Sequence, residues 1–379
     1  MNKMLDLGKI RNDIDTIDNQ ILELFERRMA LTGDVAEYKI ANGKPVFDQQ
    51  REISKLQKLG NAASNTFNSK GIQEIFHQIM SISRKRQYQM LTENQVEQPV
   101  DYVQVDNLPT KGAKVIFQGE EGAYTFEAMR TFFGEDIKSF NVETWKEAME
   151  LVAGGQADYA VLPIENSTAG VVQDIYDLMA EYHNYIVGEQ IIRIEHQLMG
   201  VEGAQLSDIR RVYSHPQALA QCKKFLEKNP GWTQERSLNT AFAAKKVAEE
   251  GDKTQAAIAG RSAAEYFGLE ILESQGLSTD TNSTRFIVIS NQKRFIKNAE
   301  KISVYFELPH ESGSLYNLLS HFIYNDLNMT KIESRPIAGR NWEYRFFIDF
   351  EGNLSEAAVK NALRGIDAEA SYLRILGNY

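Results

Sequence analysis

The hydrophobic period of this chain changes once, near residue 112, and that change restricts the folds open to it. Up to about Asn94 the apolar residues recur at helical spacing, whereas from Lys114 onward short apolar runs alternate with helical stretches. A single chain must therefore combine an all-helical part with an α/β part, and 379 residues exceed what one ordinary core organises. Charged residues make up 25% of the sequence and hydrophobic residues 42%, the balance of a soluble globular protein. A net charge of −10 argues against nucleic acid as the main partner. No apolar run approaches membrane-spanning length, residues 1–18 carry charges throughout, and one cysteine, Cys222, excludes a disulfide framework. A cytoplasmic protein is expected.

In the helical part, Ile10, Ile14, Ile17, Ile21, Leu24, Leu31 and Val35 alternate spacings of four and three, which predicts the buried seam of a long helix. The same count lands on Arg28, and Lys39 follows eleven residues later, about 20° from the same face. An inward arginine needs either an anion or an intramolecular carboxylate. Arg11 stands roughly 25 Å from Arg28 along such a helix, so it shares a small ligand with Arg28 only if it comes from a second chain. A second helix is expected from near Asp48, with Asp48 and Glu52 on one face and Arg51 beside them. A third, from about Lys70 to Gln89, turns Ile72, Ile75, Phe76, Ile79 and Ile82 inward and adds Ser83 and Gln87, again four apart. Such a set suits a small dianion bearing a hydroxyl.

These residues, within positions 5–90, resemble the all-helical chorismate mutase domain. The resemblance implies that Arg28 and a partner chain's Arg11 bind the substrate carboxylates. It also implies that Lys39 and Gln87 meet the ether oxygen, that Glu52 takes the ring hydroxyl, and that Asp48, Arg51 and Ser83 support them. The implied assembly is a homodimer or a higher homo-oligomer, and chorismate is the implied substrate. Residues 92–112, polar and with two prolines, are expected to be a linker.

In the α/β part, Ala157–Val161 reads as a buried strand, followed by Leu162-Pro163-Ile164-Glu165-Asn166-Ser167-Thr168-Ala169-Gly170 and a helix from Val171 to Ala180. Pro163 should stop the strand, and the polar junction is either a ligand site at a helix N-terminus or a helix cap at Asn166 or Ser167. Gly119 to Thr125 follows another strand, but a third glycine is missing and Glu120 and Glu121 would repel a pyrophosphate, which excludes a dinucleotide loop. Thr144-Trp145-Lys146-Glu147 reads as a capping box. Tyr213-Ser214-His215-Pro216-Gln217 leads from strand into helix without a nucleophile elbow, and Asn282-Ser283-Thr284-Arg285-Phe286 opens a strand.

Four markers in chain order, Gly119 to Thr125, Leu162 to Gly170, Tyr213 to Gln217 and Thr284-Arg285-Phe286, resemble prephenate dehydratase across residues 113 to about 292. The resemblance implies prephenate as substrate, Thr284 as donor toward the leaving hydroxyl with Glu165 the alternative acid, and Arg285 as the carboxylate fork. It implies that Asn166, Ser167, Thr168, Ser214, Gln217 and Phe286 line the substrate. No cofactor is implied, and six scattered histidines with a lone cysteine give no metal ligand set.

The last eighty residues run strand, helix, strand, strand, helix, strand, a ferredoxin-like order. Gly313-Ser314-Leu315 and Glu333-Ser334-Arg335-Pro336 resemble the ACT regulatory domain of these dehydratases, which implies L-phenylalanine as effector. The expected protein is therefore multidomain. It has an all-α mutase domain at 1–92, a linker at 93–112, an α/β two-lobed, periplasmic-binding-protein-like dehydratase domain at 113–293 and an α+β ACT domain at 299–379. The rival of a different class is a sensor that has lost catalysis.

Overall fold

The computed structural model describes residues 6–96, 101–277 and 282–379. Residues 1–5 of the N-terminus and 97–100 of the expected linker lie outside them. The chain opens with α1 (Leu7–Ala41), α2 (Gln49–Ala62) and α3 (Thr66–Glu93). There follow β1 (Val103–Val105), β2 (Lys114–Gln118), α4 (Tyr124–Phe133), β3 (Lys138–Val142), α5 (Trp145–Ala153), β4 (Tyr159–Asn166), β5 (Gly170–Val171) and α6 (Gln173–Glu181). Then come β6 (Tyr185–Arg193), β7 (His196–Gly200), β8 (Arg211–Ser214), α7 (Pro216–Gln221), α8 (Lys223–Leu226), β9 (Thr233–Arg236), α9 (Thr240–Glu250), β10 (Gln255–Gly260), α10 (Arg261–Phe267) and β11 (Glu270–Glu273). The chain closes with β12 (Ser283–Ser290), β13 (Arg294–Ile296), β14 (Lys301–Glu307), α11 (Ser314–Tyr324), β15 (Met329–Pro336), β16 (Tyr344–Glu351), α12 (Ala357–Glu369) and β17 (Tyr372–Asn378).

Two compact units emerge. One joins the N-terminal helices to Tyr305–Ile332 and Pro336–Arg374. The other holds Asp101–Val304, Glu333–Arg335 and Ile375–Tyr379.

In the first unit, the Asp6 carboxylate starts α1 by accepting from the amides of Gly8 and Lys9 at 2.9 and 3.2 Å. The expected seam of α1 is exposed: its apolar residues run from 37% (Ile10) to 63% (Leu24) accessible. The face that is covered lies to one side of it, through Phe25, Arg28, Met29, Thr32, Ala36 and Lys39, and α3 packs against α1 there. The apolar spacing is helical, but the single chain supplies no element to cover that stripe among the described residues. Ile75, expected inward on α3, is also exposed, at 55%. Downstream, α3 is enclosed: Met80, Ser81, Ser83, Arg84, Lys85, Gln87 and Tyr88 are all buried. The cover comes from α11 and α12, which pack on one another and on α3. Strands β14 to β17 stand in the order β15-β16-β14-β17.

In the second unit, the order β17-β6-β12-β4-β2-β3 forms one sheet, and β11-β7-β10-β8-β9 forms another. Each sheet has an apolar core, Val115, Phe117, Met129, Val161 and Val288 contributing to the first and Leu198, Val212, Cys222 and Ile258 to the second. Cys222 is packed as expected, and burial pushes its thiol up to about 12. Gly377 of β17 comes so close to β6 that a Cβ would lie 2.0 Å from the Ile186 carbonyl oxygen, so only glycine fits. The expected linker is structured in part, because Val103–Val105 pair in parallel with Arg294–Ile296. The helix around Cys222 is interrupted, α7 ending at Gln221 and α8 starting at Lys223.

Candidate active sites

At the first candidate site, three helices bring cations and carboxylates together. Arg28 of α1 donates to Ser83 Oγ of α3, and Ser83 in turn donates to the Ile79 carbonyl at 2.8 Å. Lys39, three turns further on, donates to the Val46 carbonyl at 2.6 Å. Burial lowers the pKa of both cations, offset for Lys39 chiefly by Asp48 and for Arg28 by Glu52. Asp48 caps α2 by accepting the Arg51 amide at 3.1 Å, which holds the acidic end of that helix beside Lys39. Glu52 is held by the Arg84 guanidinium. Gln87 lies buried one turn beyond Ser83, its Nε2 donating to the Ser83 carbonyl at 3.1 Å while its Oε1 has no hydrogen-bond partner among the described residues. The three helices therefore bring Arg28, Lys39, Asp48, Arg51, Glu52, Ser83 and Gln87 to one region. Arg11 is exposed on α1, away from them.

At the second candidate site, the junction after β4 differs from the expectation. Pro163 does not end the strand, and β4 runs to Asn166 because Pro163 faces Phe286 of β12 where the register shifts. A bulge accommodates a residue that cannot donate to the ladder. Asn166 and Gly170 then close a hairpin onto β5, and α6 begins only at Gln173, with no side-chain cap. Neither Asn166 nor Ser167 caps α6, whose N-cap is Val172. Instead Asn166 Oδ1 accepts from the amides of Thr168 and Ala169 at 3.1 and 2.9 Å, an Asx turn. Ser167 is tied by backbone and hydroxyl to Ser283.

Asn166 stands opposite Thr284 in the β4–β12 pairing, and its Nδ2 donates to Thr284 Oγ1 at 2.9 Å and to Asn282 Oδ1 at 2.8 Å. From there a polar chain crosses to the second sheet. Gln221 of α7 donates to Thr168 Oγ1 at 3.1 Å and accepts from Asn282 Nδ2 at 3.2 Å. Its Oε1 also stands 2.8 Å from His196 Nε2, while His196 Nδ1 lies 3.2 Å from the Tyr124 hydroxyl. Burial holds His196 below its ordinary pKa, so the ring is neutral at pH 7. As a neutral ring it donates from Nε2 to the Gln221 amide oxygen, which leaves Nδ1 an acceptor facing the Tyr124 hydroxyl, whose one hydrogen is shared with the Glu195 carbonyl at 3.1 Å.

Five expected site residues fall elsewhere. Ser214 is fully buried and donates to the Ile258 carbonyl at 2.6 Å, so its hydroxyl joins β8 to β10. Gln217 is exposed, whereas Gln221, one turn later, bonds Thr168 and Asn282. Phe286 belongs to the apolar core of the first sheet. Arg285 lies 3.6 Å from Glu165 and 3.4 Å from Glu189, on the face of the sheet opposite Thr284, because successive residues of a strand alternate faces. Glu165 shares that opposite face, so neither it nor Arg285 adjoins the Thr284 hydroxyl. Sequence reasoning missed Gln221, Asn282, His196 and Tyr124. The four-residue step from Gln217 to Gln221 on a helix was the available signal.

In the C-terminal segment, Ser314 and Leu315 line a cavity of about 400 Å³ together with Leu308, Trp342, Tyr344 and Phe346. Gly313 precedes it with φ +82°, a conformation that favours glycine. Glu333, Ser334 and Arg335 belong to the other compact unit, where Arg335 forms a fork on Asp177 at 3.0 and 2.6 Å. Pro336 ends β15.

Among the described residues no helix is long and apolar enough to cross a membrane. Residues 10–88 match the family model of chorismate mutase type II, and residues 115–294 match that of prephenate dehydratase. A prephenate dehydratase from Arthrobacter aurescens, solved in complex with L-Phe, is 32% identical with TM-score 0.64 over 70% of this chain and 89% of its own. A solved protein described as a novel type of quorum quenching acylase, GqqA, is 33% identical with TM-score 0.64 over 70% of this chain and 96% of its own. The bifunctional chorismate mutase/prephenate dehydratase of Buchnera aphidicola subsp. Schizaphis graminum is 33% identical over 99% of this chain and 96% of its own length. With both enzymatic segments in order and a relative of that identity along its whole length, this chain belongs to the bifunctional chorismate mutase/prephenate dehydratase family.

Proposed function

We propose that this protein rearranges chorismate to prephenate on α1–α3 and converts prephenate to phenylpyruvate beside Thr284, with L-phenylalanine as its effector. The observation that carries this reading is the convergence of Arg28, Lys39, Asp48, Glu52 and Ser83 from three helices. The rearrangement is pericyclic and needs neither nucleophile nor proton donor, only a held compact conformer and charge stabilisation at the breaking ether bond. Arg28 takes a carboxylate, Lys39 and Gln87 meet the ether oxygen, and Glu52 accepts from the ring hydroxyl. Asp48, Arg51 and Ser83 keep these groups in place. The second carboxylate falls to Arg11 of the partner subunit. The exposed apolar stripe of α1 supports a homodimer or larger homo-oligomer, since a second copy would cover it and bring that arginine.

In dehydration the electrons of the bond to the departing carboxylate move into the ring, and hydroxide leaves with a proton. Thr284 supplies or relays that proton. Because Asn166 Nδ2 donates to Thr284 Oγ1, the hydroxyl hydrogen points away from Asn166 and the oxygen's developing negative charge is stabilised. Thr168, Asn282 and Gln221 hold Asn166 in that orientation, and Ser167 anchors the hairpin.

For the C-terminal segment, the order β17-β14-β16-β15 with two helices supports reading it as a ferredoxin-like, ACT-type unit. The cavity at Gly313-Ser314-Leu315 suits a small aromatic amino acid, and the Arthrobacter relative solved with L-Phe supports that ligand. Residues 333–336 complete the effector site from a second copy. The functional segments are 1–92, 113–293 and 299–379, in a cytoplasmic enzyme.

Incubating the protein with chorismate and following phenylpyruvate tests both activities at once. Lys39→Ala is expected to remove chorismate consumption and spare turnover of supplied prephenate. Loss of both together would contradict separate sites.

A further inference from the structure

The charged residues Arg84 and Lys85 of α3 are buried, although neither is among the residues expected to touch substrate. The Arg84 side chain, 4% exposed, joins two carboxylates from different helices. Its Nη1 binds Glu52 Oε2 of α2, and its Nε and Nη2 both lie 3.0 Å from Glu369 Oε1 of α12. The guanidinium also sits over the Phe47 ring, 4.8 Å from its centre. Glu369 in turn lies 3.1 Å from Nε2 of His321 on α11, itself 1% exposed. Gly365 of α12 makes room for that ring, since a Cβ there would lie 2.2 Å from its Cε1. Lys85 donates to Ser320 Oγ of α11 at 2.8 Å.

A buried guanidinium between two carboxylates cannot turn without leaving one of them unpaired in a dry setting. Burial alone would lower the Arg84 pKa, and Glu369 and Glu52 together outweigh it. Glu52 is thereby held at one oxygen, leaving the other for a ligand.

We infer that Glu369, on the C-terminal helix α12, is a positioning residue of the chorismate site, aiming the Glu52 carboxylate through Arg84. This rests on the mutase reading given above. The rearrangement thus draws on a residue nearly three hundred positions away from the helices that bind the substrate.

The test uses the full chain, with Glu369→Gln, Arg84→Gln, the double variant and Glu369→Asp, each assayed for chorismate loss and for turnover of supplied prephenate. Glu369→Gln keeps the volume and removes the charge. It is expected to lower kcat for chorismate about tenfold with KM changed less than about twofold, and Glu369→Asp to restore most of that loss. Prephenate turnover should stay within about twofold of wild type in every variant. In the Arg84→Gln background, Glu369→Gln should cost nothing further, since it acts through Arg84. Wild-type kcat in Glu369→Gln, an additive loss in the double variant, or parallel loss of both activities would overturn the proposal. A wild-type protein that leaves chorismate untouched would instead overturn the mutase reading itself.

Discussion

Asn166 and Thr284 face each other across β4 and β12, and the amide of the first donates to the hydroxyl of the second at 2.9 Å. The amide is held by its own hairpin and by Asn282, so the hydroxyl meets a donor whose direction is already set. Removing either group should therefore slow dehydration in kcat rather than in KM. Thr284→Ala and Asn166→Ala are each expected to lower prephenate kcat by about two orders of magnitude, and Thr284→Ser to retain most activity. Steady-state assays with supplied prephenate check this, and unchanged turnover in Thr284→Ala would remove it from the mechanism.

Gln221 joins the Thr284 side of the crevice to His196 of the second sheet, while Gln217 points to solvent. Gln221→Ala should lower kcat/KM for prephenate about tenfold, the loss of two or three neutral hydrogen bonds. Gln217→Ala should stay within about twofold of wild type. The reverse ranking would show that the crevice forms around the earlier residue.

Arg285 neutralises Glu165 and Glu189, and Lys301 reaches Glu189 from β14. Arg285→Met should destabilise the fold by about 1–3 kcal/mol, toward the lower end because both carboxylates keep access to water. The KM for prephenate should change little. Denaturant melts together with KM decide the matter: an intact midpoint with a greatly raised KM would return this arginine to the substrate.

His196 carries a pH dependence whose sign follows from its burial. The folded pKa is depressed below the ordinary value of 6.5, so the imidazole contributes stability that is present above pH 6.5 and is lost as pH falls through the folded pKa. Below pH 6.5 the unfolded chain takes up a proton that the folded chain refuses. Wild type should lose up to about 1.4 kcal/mol per pH unit in that window from this group, and His196→Gln should lose less. Urea midpoints of the two proteins at pH 7.5 and 5.5 supply the comparison, and parallel curves would contradict it.

Much of this architecture was legible because the two periods, 3.6 and 2, are written in side chains that pack locally. Thr144 does cap α5, with the Glu147 amide 3.1 Å from its hydroxyl, and α1 to α3 form where the apolar spacing places them. What escaped reading depends on partners distant in sequence. Pro163 reads as a strand terminator until β12 is placed beside it with a bulge. Thr284 and Arg285 are adjacent letters but face opposite sides of a sheet, so a motif that lists them together cannot say which one meets the substrate. Ser214 reads as a polar site residue because nothing nearby announces the Ile258 carbonyl that receives its hydroxyl. The exposed seam of α1 is the converse case. Its spacing is helical, yet its cover is not among the described residues of one chain.

The enclosure of α3 by α11 and α12 bears on how chains of this kind are cut apart or recombined. Excising residues 1–96 as a free-standing catalyst would strip away Glu369 and Ser320, and leave a guanidinium with one carboxylate and an ammonium facing open water. The order of segments along the polypeptide suggests cassettes that could be exchanged at will. The charges on α3 bind the first of them to the last, so a transplanted front end would have to carry its distant counter-ion with it.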